Sequence, residues 1–202
     1  MGFEISDKVR ALNTHLENFM DEHIYPRERA WHEWCHDPEH LWEVPTWYDD
    51  IRDKAQAQGL WNLFLPEEYA PWSPGLTNVE IAPLFETMSK VMWAQSVFNC
   101  NAPDRGNMEV LAKYGTPEQQ EQWLKPLLAG EIRSAYAMTE PQVASSDATN
   151  MELEIRREGD EYVLNGRKWW TTGAVSPRCK IMLVMGKSNP ENDRHRQHST
   201  IL

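Results

Sequence analysis

"EIRSAYAMTEPQVASSDATNMELEI", residues 131–155, decides the fold. Before it, apolar residues recur at helical spacing. After it, Met151, Leu153 and Ile155 alternate with Glu152, Glu154 and Arg156, the period of a half-buried strand. "SAYAMTE" reads as a strand that enters the polar run 138–150. There Thr139, Glu140, Ser145, Ser146, Asp147, Thr149 and Asn150 crowd short hydrogen-bonding side chains with almost nothing apolar to anchor them. So many hydroxyls suit either a long solvated loop or the surroundings of a ligand rich in acceptors.

Upstream, the chain reads as helices. Ser6 is placed to N-cap a segment with Val9, Leu12, Leu16, Phe19 and Ile24 on one face, expected to end before Pro26. A second helix is expected over about 46–58, with Trp47, Ile51 and Ala55 on a stripe and Gly59 as its stop. Thr77 and Glu80 form a capping box ahead of Ile81, Leu84, Phe85, Met88, Val91 and Met92. A short helix near 107–114 follows. Thr116, Pro117 and Gln119 then start a last helix carrying Trp123, Leu124, Leu127 and Leu128, with a kink at Pro126 and Gly130 at its close.

Downstream, Gly159 and Asp160 turn the chain into "EYVLNGRKWW", Asn165-Gly166 is a tight-turn dipeptide, and "CKIMLVMG" at 179–186 is a further strand. "GKSNPENDRHRQH" at 186–198 reads as a mobile polar connection, and "HSTIL" begins to look like another strand. A few strands with an apolar face need more sheet or a covering layer, so the sequence reads as unfinished. The expected fold class is α+β: an all-helical bundle domain over 1–132, then an incomplete antiparallel β-barrel-like domain over 133–202.

Of the 202 residues 41% are hydrophobic and 10 are tryptophan, enough for a real core. A net charge of −11 argues against a general nucleic-acid or anionic-membrane binder. Cys35, Cys100 and Cys179 form no paired framework, which points to a reducing compartment, with the cytoplasm as default. No apolar stretch reaches the length of a membrane span. The start "MGFEIS" fits the Gly2-x-x-x-Ser6 acylation pattern, without a polybasic stretch to support it.

Two polar stretches carry candidate chemistry: "YAMTEPQVASSD" at 136–147 and "KWWTTGA" at 168–174. If 168–170 is a strand, Trp169 and Trp170 face opposite sides, and one ring is left to stack on a flat ligand. Thr171, Thr172 and the amides near Gly173 offer donors, and Ser145 and Ser146 can bind a phosphate without arginine. A planar heteroaromatic joined to a phosphate satisfies both. The purely structural alternative is one tryptophan in the core and one on the surface, with serines bonded to their own backbone. His32, His36 and His40 stand four apart beside Cys35, a spacing that serves a metal on a helix face. Pro38 interrupts it, and a tryptophan-rich linker between helices is the favoured reading.

"AYAMTEPQVASSDATN", "DEYVLNGRKWWTTGA" and "YGTPEQQEQWLKPLLAGEIRSAY" resemble the acyl-CoA dehydrogenase family, and "VASSDATN" resembles its long-chain, eleven-type bacterial and animal branch. The similarity runs over essentially the whole chain, including "VFNCNAPDRGNMEVL", where Arg105 stands in place of an expected small polar residue. The resemblance implies a helical domain packed on a middle β domain, with FAD between that domain and a C-terminal helical domain absent from this chain. It implies fatty acyl-CoA as substrate in β-oxidation, electron-transfer flavoprotein as acceptor, and a homodimer or homotetramer. Carried over by position, Tyr136, Met138 and Thr139 line the flavin and Thr139 bonds its pyrimidine side. Ser145 or Ser146 takes the pyrophosphate, the loop having one residue more than the common "EPGAGSD" form. Trp170 packs on the flavin, Thr171 adjoins it and Thr172 lies near N5, while Ser145 and Thr172 border the substrate. No catalytic base is expected within the chain, so the 202 residues alone are expected to be inactive. The alternatives are a flavin-dependent oxidase or monooxygenase of the same fold, or a non-catalytic subunit of a split assembly.

Overall fold

The computed structural model describes residues 4–202, so Gly2 and Phe3 of the acylation-like start lie outside the described residues. The chain divides into two compact units, Met1–Gly130 and Glu131–Leu202. The first contains α1 (Asp7–Phe19), α2 (Glu28–His36), α3 (Tyr48–Ala57), α4 (Asn78–Met88), α5 (Ala94–Val97), α6 (Asp104–Tyr114), α7 (Pro117–Gln119) and α8 (Lys125–Leu128). The second contains β1 (Arg133–Ala137), β2 (Glu154–Glu158), β3 (Glu161–Asn165), β4 (Cys179–Lys187) and β5 (His198–Ile201). None of the described helices is long and apolar enough to cross a membrane.

Ser6 caps α1 by accepting from the Val9 amide, and both capping boxes form as the sequence indicates, Thr77 with Glu80 and Thr116 with Gln119. The expected stop before Pro26 does not occur. The chain stays helical through a π segment, Met20–Ile24, and a 3-10 turn, Tyr25–Arg27, into α2. Proline lacks an N–H and clashes with the carbonyl four residues back. A turn widened ahead of it, with the Tyr25 amide reaching Met20 O, lets the helical path continue. The kink expected at Pro126 takes the same form, a π segment at Gln120–Leu124 joining α7 to α8.

The expected linker around 31–36 is also corrected, because α2 occupies it. His32 and His36 stack at 4.1 Å between centroids, whereas His40, beyond the break at Pro38, stacks on Trp34 at 3.6 Å. The three rings therefore do not converge. Among the described residues no group of three or more His, Cys, Asp or Glu side chains is placed to hold a metal.

Leu16, Met20 and Ile24, Ile51, Leu84 and Met88, and Met108 and Leu111 are all fully buried and form one core. Each such side chain contributes about 1.5–3 kcal/mol over its exposed state. Phe19 meets Phe98 edge-on at 5.4 Å, and Thr87 Oγ1 donates to Asn13 Oδ1 at 2.8 Å to tie α4 to α1. Arg105, at the position expected to be small and polar, lies 4.6 Å over the Phe85 ring, a cation–π contact.

The end of α8 is received by side chains from distant positions. Trp61 Nε1 and Asn62 Nδ2 donate to Leu128 O at 2.7 and 2.9 Å, Asn99 Nδ2 to Leu127 O at 2.9 Å, and the buried Arg52 Nη2 to Gly130 O at 3.0 Å. These are carbonyls that a helix end leaves without intrahelical donors. Gly130 closes the helix with φ +71, and a Cβ there would lie 2.2 Å from Arg52 Nη2 and 2.7 Å from the Trp61 ring.

In the second unit the strand order is β1-β4-β2-β3, with β5 also paired to β4. Its directions are mixed rather than wholly antiparallel: β1 and β4 are parallel, as is the single β2–β4 pairing at Glu154 and Lys187, while β2–β3 and β4–β5 are antiparallel. The polar loop after β1 leads to β2 rather than back along β1, so β1 pairs with β4, which also pairs with β2 and β5. Met151, Leu153 and Ile155 are buried, as their alternation requires. Gly186 lets β4 pass β2 closely, since a Cβ there would fall 2.6 Å from Leu153 Cδ2. The β2–β3 hairpin turns at Gly159 and Asp160, whereas Asn165-Gly166 bends the chain out of the sheet. The connection 188–197 is tied down, with Gln197 Nε2 donating to Pro190 O and Asn192 O.

Gly130→Ala is expected to cost about 2 kcal/mol from the left-handed backbone and displaced Arg52. In thermal unfolding, a melting temperature roughly 8 °C lower bears this out. An unchanged melting temperature contradicts the account of the α8 terminus.

Candidate functional site

Both chemistry-bearing stretches belong to the second unit, and main-chain hydrogen bonds bring them together. β1 delivers Tyr136, which is half-buried with its hydroxyl 3.7 Å from Met185 Sδ. Met138 is half-buried and Thr139 exposed just beyond the strand. The Trp169 amide donates to Thr139 O at 3.0 Å, which fixes the second stretch beside the first.

The expectation that Trp169 and Trp170 lie on a strand is corrected. β3 ends at Asn165, and Trp170 has φ +54, a left-handed conformation that no strand contains. The two rings therefore do not take opposite faces of a sheet. Their centroids are 5.4 Å apart at 55°, with Trp169 45% and Trp170 78% exposed. A left-handed aromatic is uncommon and points to a local requirement rather than to packing. Thr171 and Gly173 are half-buried and Thr172 is exposed.

Glu140 is the buried centre of the loop, 4% exposed. Its Oε2 accepts from the Glu152 amide at 2.7 Å, and its Oε1 accepts from the Leu153 amide and from Lys168 Nζ, both at 2.8 Å. Lys168 Nζ also donates to Met138 O at 2.8 Å. Burial works against ionisation of this carboxyl. The Lys168 hydrogen bond, the two amide bonds and the Lys168 charge outweigh it and hold Glu140 below its ordinary value of 4.5. The sign follows directly: Glu140 contributes stability above pH 4.5, and that contribution is lost as pH falls through its lowered native value. Both oxygens of this buried carboxylate are bonded, Oε1 twice and Oε2 once, so it is engaged as a structural centre. The carboxylate ties the loop to 152–153. The signal that could have found its partner was the charge of Lys168 at the head of the second stretch.

The two serines separate cleanly. Ser145 is 5% exposed, and its Oγ accepts from the Glu140 amide at 2.7 Å and lies 3.3 Å from Val143 O. Ser146 is exposed. The hydroxyls of Thr139, Ser146, Thr171 and Thr172 take no hydrogen bond from other described residues, so their donors and acceptors remain available. Asp147 is occupied by Thr149 and, at 3.2 Å, by Arg194.

The family model "Acyl-CoA dehydrogenase, N-terminal domain" matches residues 6–131 and "Acyl-CoA dehydrogenase, middle domain" matches residues 135–202. "Acyl-CoA dehydrogenase family member 10" of Mus musculus is 49% identical over 203 residues, covering 98% of this chain and 19% of that protein. "Probable acyl-CoA dehydrogenase FadE2" of Mycobacterium tuberculosis is 48% identical, covering 100% of this chain and 49% of that protein. A solved structure of a "putative acyl-CoA dehydrogenase" from Mycobacterium abscessus superposes with a TM-score of 0.91 at 48% identity, over 98% of this chain and 50% of that one. The chain thus spans about half the length of the last two relatives. With its helical unit and its partial sheet both matched, the chain belongs to the acyl-CoA dehydrogenase family.

Proposed function

We propose that this chain contributes the helical domain and the flavin-facing part of the β domain of an FAD-dependent acyl-CoA dehydrogenase. The observation that carries the reading is the exposed, left-handed Trp170, its neighbour Trp169 bonded to Thr139 O, together with the exposed hydroxyls of Thr139, Ser146 and Thr172 on the two stretches. Such a donor set fits a flavin: a flat ring needs an aromatic face and edge donors, and a pyrophosphate needs hydroxyl and amide donors. Bound FAD supplies the hydride acceptor for α,β-dehydrogenation of an acyl thioester.

The chain's own residues bind and orient. Trp170 offers a ring face, Thr139 and Thr172 offer hydroxyls to the ring edge, and Tyr136 and Met138 supply apolar contact beside them. Ser146 takes the pyrophosphate, because it is exposed, whereas Ser145 is 5% exposed and its O–H is directed at the Val143 and Glu140 carbonyls. Ser145 shapes the loop instead. No base for the α-proton is assigned within the chain, since the buried acid of the loop, Glu140, has both oxygens bonded. Fatty acyl-CoA as substrate, electron-transfer flavoprotein as acceptor and a homo-oligomeric assembly rest on family membership.

FAD titration of the purified chain, read by flavin fluorescence, tests this. Ser146→Ala is expected to weaken binding about tenfold, the value of a hydrogen bond to a charged group. Ser145→Ala is expected to lower the melting temperature with a smaller effect on affinity. A protein-perturbed flavin in the parent chain supports the flavin site, and unchanged affinity in Ser146→Ala, with loss in a stably folded Ser145→Ala, reverses the serine assignment.

A further inference from the structure

We propose that Glu140 and Lys168 are a positioning pair that sets the spacing of the two ligand-facing stretches, 138–147 and 168–172, through main-chain atoms. The inference rests on the flavin reading, and it assigns the pair no contact with the ligand. Both side chains are buried, 3% and 8% exposed for Glu140 and Lys168. Between them they hold the carbonyl of Met138 and the amides of Glu152 and Leu153.

Those bonds fall next to the residues that face outward. Lys168 Nζ grips the carbonyl immediately before Thr139, and Lys168 itself immediately precedes Trp169, whose amide donates to Thr139 O. The Glu140 amide donates to Ser145 Oγ and holds Ser145 inward, while Ser146 is exposed. One ion pair therefore defines where Thr139, Ser146 and Trp170 sit relative to one another. A buried pair of this kind is strongly felt when one partner is removed, because the other charge is left without its counterpart. His198 is held below its ordinary value by burial first and then by the charges of Lys187 and Lys168.

The test compares FAD affinity and the visible spectrum of the bound flavin in the parent chain, Lys168→Met, Glu140→Gln and Ile155→Ala. Ile155 is buried in β2 and contacts neither stretch through the pair, so its truncation reports plain destabilisation. Lys168→Met and Glu140→Gln are expected to bind FAD about tenfold more weakly and, at saturation, to shift the flavin band towards that of free FAD. Ile155→Ala is expected to lower the melting temperature while keeping parent affinity and spectrum. Parent-like affinity and spectrum in the two pair variants overturn the proposal, as does equal loss in Ile155→Ala. If the parent chain takes up no FAD, amide exchange in the flavin-free chain decides on the pair. Faster exchange at Trp169 in Glu140→Gln, a bond that Glu140 does not itself make, supports the positioning role, and unchanged exchange there overturns it.

Discussion

The constraint on which the second unit depends is the burial of a charged carboxylate. Removing an ionised acid from water is costly unless its oxygens are fully bonded. Glu140 meets that requirement with two amides and an ammonium, and in doing so joins segments that are far apart in sequence: the end of β1, the entry to β2 and the exit from β3. The polar loop is thereby an ordered surface whose outward hydroxyls are free, rather than a solvated tether.

The helical unit solves a comparable problem at α8. Its terminal carbonyls need donors, and Arg52, Trp61, Asn62 and Asn99 supply them from other elements. Asn62 and Asn99 both sit at positive φ, 55° and 54°, a conformation that asparagine tolerates better than most residues. Long-range side-chain capping thus fixes where the last helix ends, and Gly130 supplies the backbone freedom at that point.

Much of this was legible in the residues. Both capping boxes, the helical faces apart from Met92, which is 98% exposed beyond the end of α4, the switch to period two after Met151 and the turn at Gly159 follow local rules and were readable directly. The mixed direction of the sheet was not, because the parallel partners β1 and β4 lie more than forty residues apart and nothing local encodes their pairing. Helix continuation through Pro26 escaped because a π turn leaves no composition signal. For the site, the polar stretches themselves were plain, but the choice between Ser145 and Ser146 depended on the tertiary position of the Glu140 amide. Trp170 was misplaced for a related reason: "KWW" has strand composition, yet its backbone answers to Lys168 and Thr139.

The most direct measurement is a double-mutant cycle on unfolding of the second unit, with Glu140→Gln, Lys168→Met and the double variant followed by denaturant titration. The account predicts that each single change costs about 3 kcal/mol and that the double variant falls well short of the sum, with a coupling of roughly 2 kcal/mol. Additive losses, or singles that cost about 0.5 kcal/mol as exposed pairs do, would contradict the claim that this pair organises the loop.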